Sequence, residues 1–256
     1  MNLASKRCFV FDLDGTVYLG DRPIPGTIDF IRRNSERFDI YFLTNNTSKN
    51  LEDYVTKLKG MGVPVAPDHM LSPLIPLADR LEKEKIREIY PVGNTSFLHY
   101  LKKRLPDLRF GNSDRCELVV VGYDTELTYK KLCESCLLLL QPEVRFWATH
   151  PDAVCPSPQG PLPDTGSFLA LYEKATGRVP ELVFGKPNPL VLEPLLARYT
   201  PDEMVMVGDR LYTDKLLAEN AGMEFILVLS GESRREDLAD LQCQPSLVLE
   251  DLGTLA

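Results

Sequence analysis

The run Cys8-Phe9-Val10-Phe11 stops abruptly at Asp12-Leu13-Asp14-Gly15, and no other stretch restricts the fold as much. A continuous apolar run of this length, closed by Gly, reads as a strand buried in a parallel sheet. Side chains two apart on an extended segment point the same way, so Asp12 and Asp14 leave the strand end close together, although the turn toward Gly15 can rotate Asp14. Two neighbouring carboxylates repel, and a shared proton or a hard cation such as Mg²⁺ must relieve them. In open α/β sheets ligands bind at the carboxyl ends of strands. Taken alone, such a pair is equally well a turn cap; the rest of the chain decides.

Strand and helix patterns alternate after this point with short connections, the grammar of a parallel sheet. A helix is expected over Thr27–Arg37, with Ile28 and Ile31 inward. The strand Ile40-Tyr41-Phe42-Leu43 stops at Thr44-Asn45-Asn46-Thr47-Ser48, five residues whose side chains hydrogen-bond locally. The helix Leu51–Met61 follows. The middle of the chain repeats the pattern in a smaller unit: helix Leu74–Leu81, strand Arg87–Gly93, helix Thr95–Leu105, strand Leu118–Gly122, a helix around Cys133 and Cys136, and strand Val144–Thr149. Leu132, Cys136, Leu139 and Leu140 share one face of that helix. Pro151, Pro156, Pro158, Pro161 and Pro163 make the next segment a loop, and a helix covers Gly166–Gly177. Buried strands then return. Leu182-Val183-Phe184 leads to Gly185-Lys186-Pro187 and a helix Pro189–Tyr199; Met204–Val207 leads to Gly208-Asp209 and a helix Lys215–Gly222; Phe225–Leu229 follows, with Ser246–Glu250 as an edge strand.

Size and charge narrow the partners. The 256 residues suit one large or two modest domains, and 44% hydrophobic residues supply a globular core. A net charge of -8 argues against nucleic-acid backbones and anionic membranes, so an anion pocket must be made locally by a metal, a Lys or backbone N–H groups. No apolar run approaches a membrane span, and the first strand begins too early to leave room for a signal peptide. The six cysteines are scattered, and Cys133-x-x-Cys136 has no partner motif and no nearby His; reduced thiols and a cytoplasmic location are expected.

Polar clusters now stand at the ends of separate elements: Asp12/Asp14, Thr44/Asn45, Lys186 and Asp209/Asp214. If their strands share one sheet, the clusters converge at one edge, and a shared site is the economical reading. Their contents suit phosphoryl chemistry. A phosphate monoester is a dianion that needs a cation, a Lys and N–H or O–H donors on its oxygens. Asp12 and Asp209 offer hard oxygen ligands, and Lys186 and Thr44 offer donors. One carboxylate can attack phosphorus while a second gives and then takes a proton.

Phe11-Asp12-Leu13-Asp14-Gly15-Thr16, Leu43-Thr44-Asn45-Asn46, Gly185-Lys186-Pro187 and Gly208-Asp209-Arg210-Leu211-Tyr212-Thr213-Asp214 resemble the four signature motifs of the haloacid dehalogenase-like (HAD) phosphatases, in the family's order. The Thr-Asn-Asn form and the long insertion before Lys186 resemble the NagD-like, p-nitrophenylphosphatase branch with its C2-type cap. The resemblance implies an α/β fold: a Rossmann-like parallel-sheet core from residues 1–80 and 181–256, with a smaller α/β cap at 81–180. It implies Asp12 as nucleophile, Asp14 as general acid and then base, and Thr44, Asn45, Asn46 and Lys186 on the phosphoryl oxygens. Mg²⁺ would be held by Asp12, the Asp14 carbonyl and Asp209, with Asp214 supporting that shell. The expected substrate is a small phosphate monoester, with neither nucleic acid nor membrane as partner, and caps of this branch often pair into a homodimer. Thr149-His150-Pro151-Asp152 resembles the branch's Thr-Asn-Pro-Asp, with His150 a departure. His150, Asp152 and Cys155 are expected to set specificity. A catalytically silent metal-binding or regulatory protein on this scaffold, or a phosphotransferase of the same superfamily, is the alternative.

Overall fold

In a computed structural model describing residues 2–111, 116–157, 159–239 and 241–255, β1 (Cys8–Asp12) lies inside a six-stranded parallel sheet. Its neighbours are β2 (Asp39–Leu43) and β9 (Met204–Gly208). β3 (Met70–Leu71) extends the sheet beyond β2, and β10 (Glu224–Val228) and β11 (Leu247–Leu249) extend it beyond β9.

The continuous apolar run of β1 has a direct cause: both faces of the sheet are covered. Phe9 and Phe11 pack with Phe30, Phe38 and Phe42, beneath α1 (Pro25–Asn34) and α2 (Leu51–Gly60). Cys8 and Val10 face the other way, onto Leu192, Leu195 and Leu217. Every polar group left on such a strand is therefore pushed to its ends, and Asp12 stands at the carboxyl one.

Two units are compact. The first comprises Met1–Thr44, Leu51–Leu71 and Lys186–Ala256; the second comprises Asn45–Asn50 and Ser72–Gly185. The second has its own five-stranded parallel sheet, in the order β8 (Leu182–Val183), β7 (Arg145–Ala148), β6 (Leu118–Val121), β4 (Glu88–Val92) and β5 (Arg109–Phe110). Its helices are α3 (Leu74–Lys83), α4 (Thr95–Arg104), α5 (Tyr129–Leu139) and α6 (Thr165–Thr176).

Several expectations need adjustment. Leu182–Val183 is an edge strand of the second sheet and pairs with Trp147 and Ala148, so Lys186 does not follow a strand of the first. α3 packs on α4 within the second unit, because its apolar face (Leu74, Leu77, Ala78, Leu81) is buried there. The helix expected over Pro189–Tyr199 is a 3₁₀ turn, Pro189–Leu192, and a single α turn, α7 (Glu193–Leu196). Pro194 lacks the N–H that a longer helix needs there. On α5 the buried positions are Ser135, Leu138 and Leu139, while Leu140 caps the helix and is 60% exposed. The proline-dense segment holds a short antiparallel pair, Val154–Cys155 with Leu162–Pro163; Pro158 lies outside the described residues.

Candidate active site

Asp12 ends β1 and is largely buried. Its Oδ1 accepts a hydrogen bond from Nζ of Lys186, 174 residues further on. The same ammonium donates to Oδ1 of Asp214 at 2.7 Å. Asp214 is held from the other side too, because its Oδ2 accepts the backbone N–H of Arg210 at 3.1 Å. That bond spans the loop between β9 and a wide π-helical turn, Leu211–Lys215, which runs into α8 (Leu216–Ala221). Turns of this kind concentrate at functional sites. Here the widening starts the helical path four residues earlier than the periodicity predicts and turns Asp214 inward, fully buried.

Asp209 follows β9 directly. Its Oδ2 accepts the Glu232 N–H at 2.7 Å, and its backbone carbonyl accepts the Ser233 N–H at 3.1 Å. Its Oδ1 is buried with no hydrogen-bond partner among the described residues. Gly15 makes room for this carboxylate: at φ +91° it takes the left-handed conformation, and a Cβ there would run into Asp209. Ser230 Oγ donates to the Gly15 carbonyl at 2.7 Å, which ties the loop after β1 to the loop after β10.

The electrostatics of the cluster do not balance. Burial, followed by the charges of Asp12 and Asp214, raises the Asp209 carboxyl well above its ordinary range. Burial likewise lifts Asp214 to about 6, against the pull of Lys186. For Lys186 burial works against the charge, yet Asp12 and Asp214 outweigh it and raise its pKa. Asp14, just past the strand end and half-buried, is raised by burial and by Asp12, with Lys57 and Arg210 opposing. Three carboxylates thus hold more negative charge than the nearby ammonium and guanidinium neutralise. Asp12, Asp209 and Asp214 each offer an oxygen within 4.8 Å of the others, and this cluster could hold a metal ion. A hard divalent cation fits an orphaned, buried carboxylate oxygen in such company. Asp214 spends both oxygens on Lys186 and Arg210, which suits it to hold the frame.

Three residues of this unit escape a reading of motif roles. Arg210, whose charge is strengthened by Asp12 against the cost of burial, pairs with Glu232 at 3.0 Å. Lys57 lies 3.8 Å over the Tyr18 ring and donates to the Gly20 carbonyl at 2.7 Å, pinning the Tyr18–Leu19 and Arg22–Pro23 hairpin beside Asp14. Glu232 supplies the N–H to Asp209. A signal for Glu232 existed: Ser230-Gly231-Glu232 follows a buried strand just as the other clusters do.

Thr44 is buried at the end of β2, where its N–H donates to the Leu71 carbonyl at 3.2 Å. The next residues belong to the second unit. Asn45 Nδ2 donates to both Asp152 oxygens, at 3.1 and 3.2 Å. Asn46 Oδ1 accepts the Ser48 N–H and hydroxyl at 2.9 and 2.7 Å, and its Nδ2 is 3.9 Å from Cys155 Sγ. His150 is fully buried, with Nδ1 2.9 Å from Thr149 Oγ1 and Nε2 2.9 Å from Asp164 Oδ1.

The chain is similar throughout to proteins of known name. A family model described as haloacid dehalogenase-like hydrolase matches residues 9–104, and a second, HAD-hydrolase-like, matches 183–255. The acid sugar phosphatase of Staphylococcus epidermidis is 31% identical over 96% of this chain and 95% of that protein. The 5'-nucleotidase YutF of Bacillus subtilis is 30% identical over 95% of each. Among solved structures, 4-nitrophenylphosphatase from Thermotoga maritima superposes with a TM-score of 0.90 at 39% identity, covering 98% of this chain and 96% of that one. NagD from E. coli gives 0.88 at 26% identity, covering 98% of both. The chain therefore belongs to the haloacid dehalogenase-like hydrolases, in the branch of NagD and the p-nitrophenylphosphatases. Its architecture of parallel α/β sheets with a cap domain is that of those structures.

Proposed function

We propose that this chain is a Mg²⁺-dependent phosphomonoesterase that hydrolyses small phosphorylated metabolites through an aspartyl-phosphate. One observation carries the reading: Lys186 joins Asp12 to Asp214, in the same cluster where Asp209 keeps a buried oxygen unpaired. The names of the relatives, a sugar phosphatase, a nucleotidase and a nitrophenylphosphatase, support the substrate class.

Asp12 would attack phosphorus, forming an O–P bond as the bond to the leaving oxygen breaks. Asp14 would give its proton to that oxygen, a role favoured by a pKa raised through burial and Asp12. It would then take a proton from water as the water oxygen attacks phosphorus, releasing phosphate and restoring the Asp12 carboxylate. Lys186 holds Asp12 in place and would offset charge on the phosphoryl oxygens. Thr44, Asn45 and Asn46 would supply the remaining donors. Asp12, the Asp14 carbonyl and Asp209 would hold Mg²⁺, which when bound neutralises charge on the phosphoryl group and the carboxylates. Asp152 and Cys155, in the second unit, are the residues we assign to substrate choice. Six free thiols support a reducing, cytoplasmic setting. Among the described residues no helix is long and apolar enough to cross a membrane.

Release of phosphate from p-nitrophenyl phosphate with Mg²⁺, abolished by EDTA and restored by excess Mg²⁺, is the expected result. Absence of turnover across sugar phosphates, nucleotides and phosphoglycolate would reject the proposal in favour of a silent scaffold. Transfer of the phosphoryl group to a second metabolite faster than to water would instead make the chain a phosphotransferase.

A further inference from the structure

The surroundings of His150 show what its ring does. The ring is fully buried, and both nitrogens are engaged. The Asp164 carboxylate also accepts the Thr165 N–H at 2.6 Å and caps α6. A carboxylate only accepts, so Nε2 carries a hydrogen, and in the neutral ring Nδ1 then accepts from the Thr149 hydroxyl. Thr149 Oγ1 is in turn 3.5 Å from Thr47 Oγ1, and Thr47 Oγ1 accepts the Tyr123 N–H at 3.0 Å. Every donor then has one acceptor in a single direction: Tyr123 N–H to Thr47, Thr47 to Thr149, Thr149 to His150, His150 to Asp164. All of these groups are buried, where a missing partner costs about 1–3 kcal/mol, and this direction leaves each of them with one.

Thr47 lies in the turn whose preceding residues are Asn45 and Asn46. The same unit also holds this turn through Asp152 on Asn45 and through Asn94 Nδ2, which donates to the Ser48 carbonyl at 2.8 Å. Gly185 lies against Asn45 Oδ1, and a Cβ there would clash with it.

We propose that His150 is a positioning residue for the phosphoryl-binding turn 45–48, acting through Thr149 and Thr47 rather than by touching the substrate. The proposal rests on the reading that this turn holds the phosphoryl group. What the chain needs at position 150 is an acceptor where Nδ1 stands. An Asn side chain places its carboxamide oxygen there; an Ala places nothing.

The test compares His150→Ala, His150→Asn and the near-isosteric Thr47→Val. With p-nitrophenyl phosphate, His150→Ala and Thr47→Val should each raise KM about tenfold or more while kcat changes less than threefold, because a turn that binds ground and transition states alike sets KM. The inhibition constant of inorganic phosphate should rise in proportion. His150→Asn should restore KM to within about threefold of the parent, and His150→Ala/Thr47→Val should be no worse than the poorer single variant. Equal damage from Ala and Asn, or a loss confined to kcat, would overturn the proposal. If His150→Ala does not fold, Thr47→Val and His150→Asn still decide it. A second readout needs no catalysis: nitrogen-detected histidine spectra should show hydrogen on Nε2 of His150, and the amide resonances of residues 45–48 should move in His150→Ala and return toward the parent in His150→Asn. An Nδ1–H ring, or unmoved turn amides, would reject the positioning role. Correct spectra with no phosphatase activity in the parent chain would leave the relay standing and reject only the functional reading.

Discussion

The ammonium of Lys186 lies 2.7 Å from Oδ1 of Asp214 and holds that buried carboxylate against the turn that follows Asp209. Lys186 therefore serves two ends: it orients Asp12, and it stabilises a buried anion that would otherwise be unpaired. Removing one partner of such a buried pair typically costs about 3–5 kcal/mol.

Lys186→Ala should thus lower both activity and stability. The expected loss in kcat/KM is on the order of 10²–10³, the scale of one preorganised donor. Chemical unfolding of the metal-free variant should show a drop of several kcal/mol. A rate loss under tenfold would take Lys186 out of the chemistry.

Asp12→Asn replaces the proposed nucleophile with an amide that cannot form the acyl-phosphate. Turnover of p-nitrophenyl phosphate should fall to background while circular dichroism stays that of the parent. Near-normal activity in that variant would rule out the covalent route.

The raised carboxyls make the stability of the metal-free protein depend on pH in an unusual sense. Asp214 titrates near 6 in the folded chain against an ordinary 3.8, and Asp209 is also raised. The folded state then keeps protons that the unfolded state has released, so stability from these groups falls as pH climbs from about 4 toward 6 and stays lost above. Urea unfolding in EDTA should show a lower midpoint at pH 7 than at pH 5. Adding Mg²⁺ should recover most of the difference at pH 7, because the cation replaces the protons. A midpoint that rises with pH in EDTA would contradict this account.

Gly15→Ala forces a Cβ into a left-handed backbone position and against the Asp209 carboxylate. The expected cost exceeds about 1 kcal/mol of stability. The Mg²⁺ concentration giving half-maximal activity should rise at least tenfold. Unchanged metal dependence would mean that Asp209 shifts freely and does not hold the cation.

Much of this was legible before any fold was known. β1, β2 and β9 are short apolar runs that end in Asp12, Thr44 and Asp209, and a strand buried on both faces can be nothing else in sequence. Lys186 was legible only as a motif. Its approach strand, Leu182–Val183, belongs to the other sheet, because two partly buried residues pair as readily with Trp147 and Ala148 as with any core strand. The start of α8 was legible to within one residue, but the π-helical turn Leu211–Lys215 that leads into it was not, since such a turn has no apolar period to announce it.

The order of residues alone dictated the periodicities, the parallel strands and the identities of the acids, because these follow from local sterics and from which side chains water rejects. Only the packed chain settled which atoms are paired and which are not. Among the described residues Asp209 Oδ1 stands orphaned, Asp214 has both oxygens engaged, and the buried His150 ring is held between Thr149 and Asp164. Those outcomes depend on distances of a few ångströms between residues up to 174 positions apart, and on burial that gives each unmet hydrogen bond its cost.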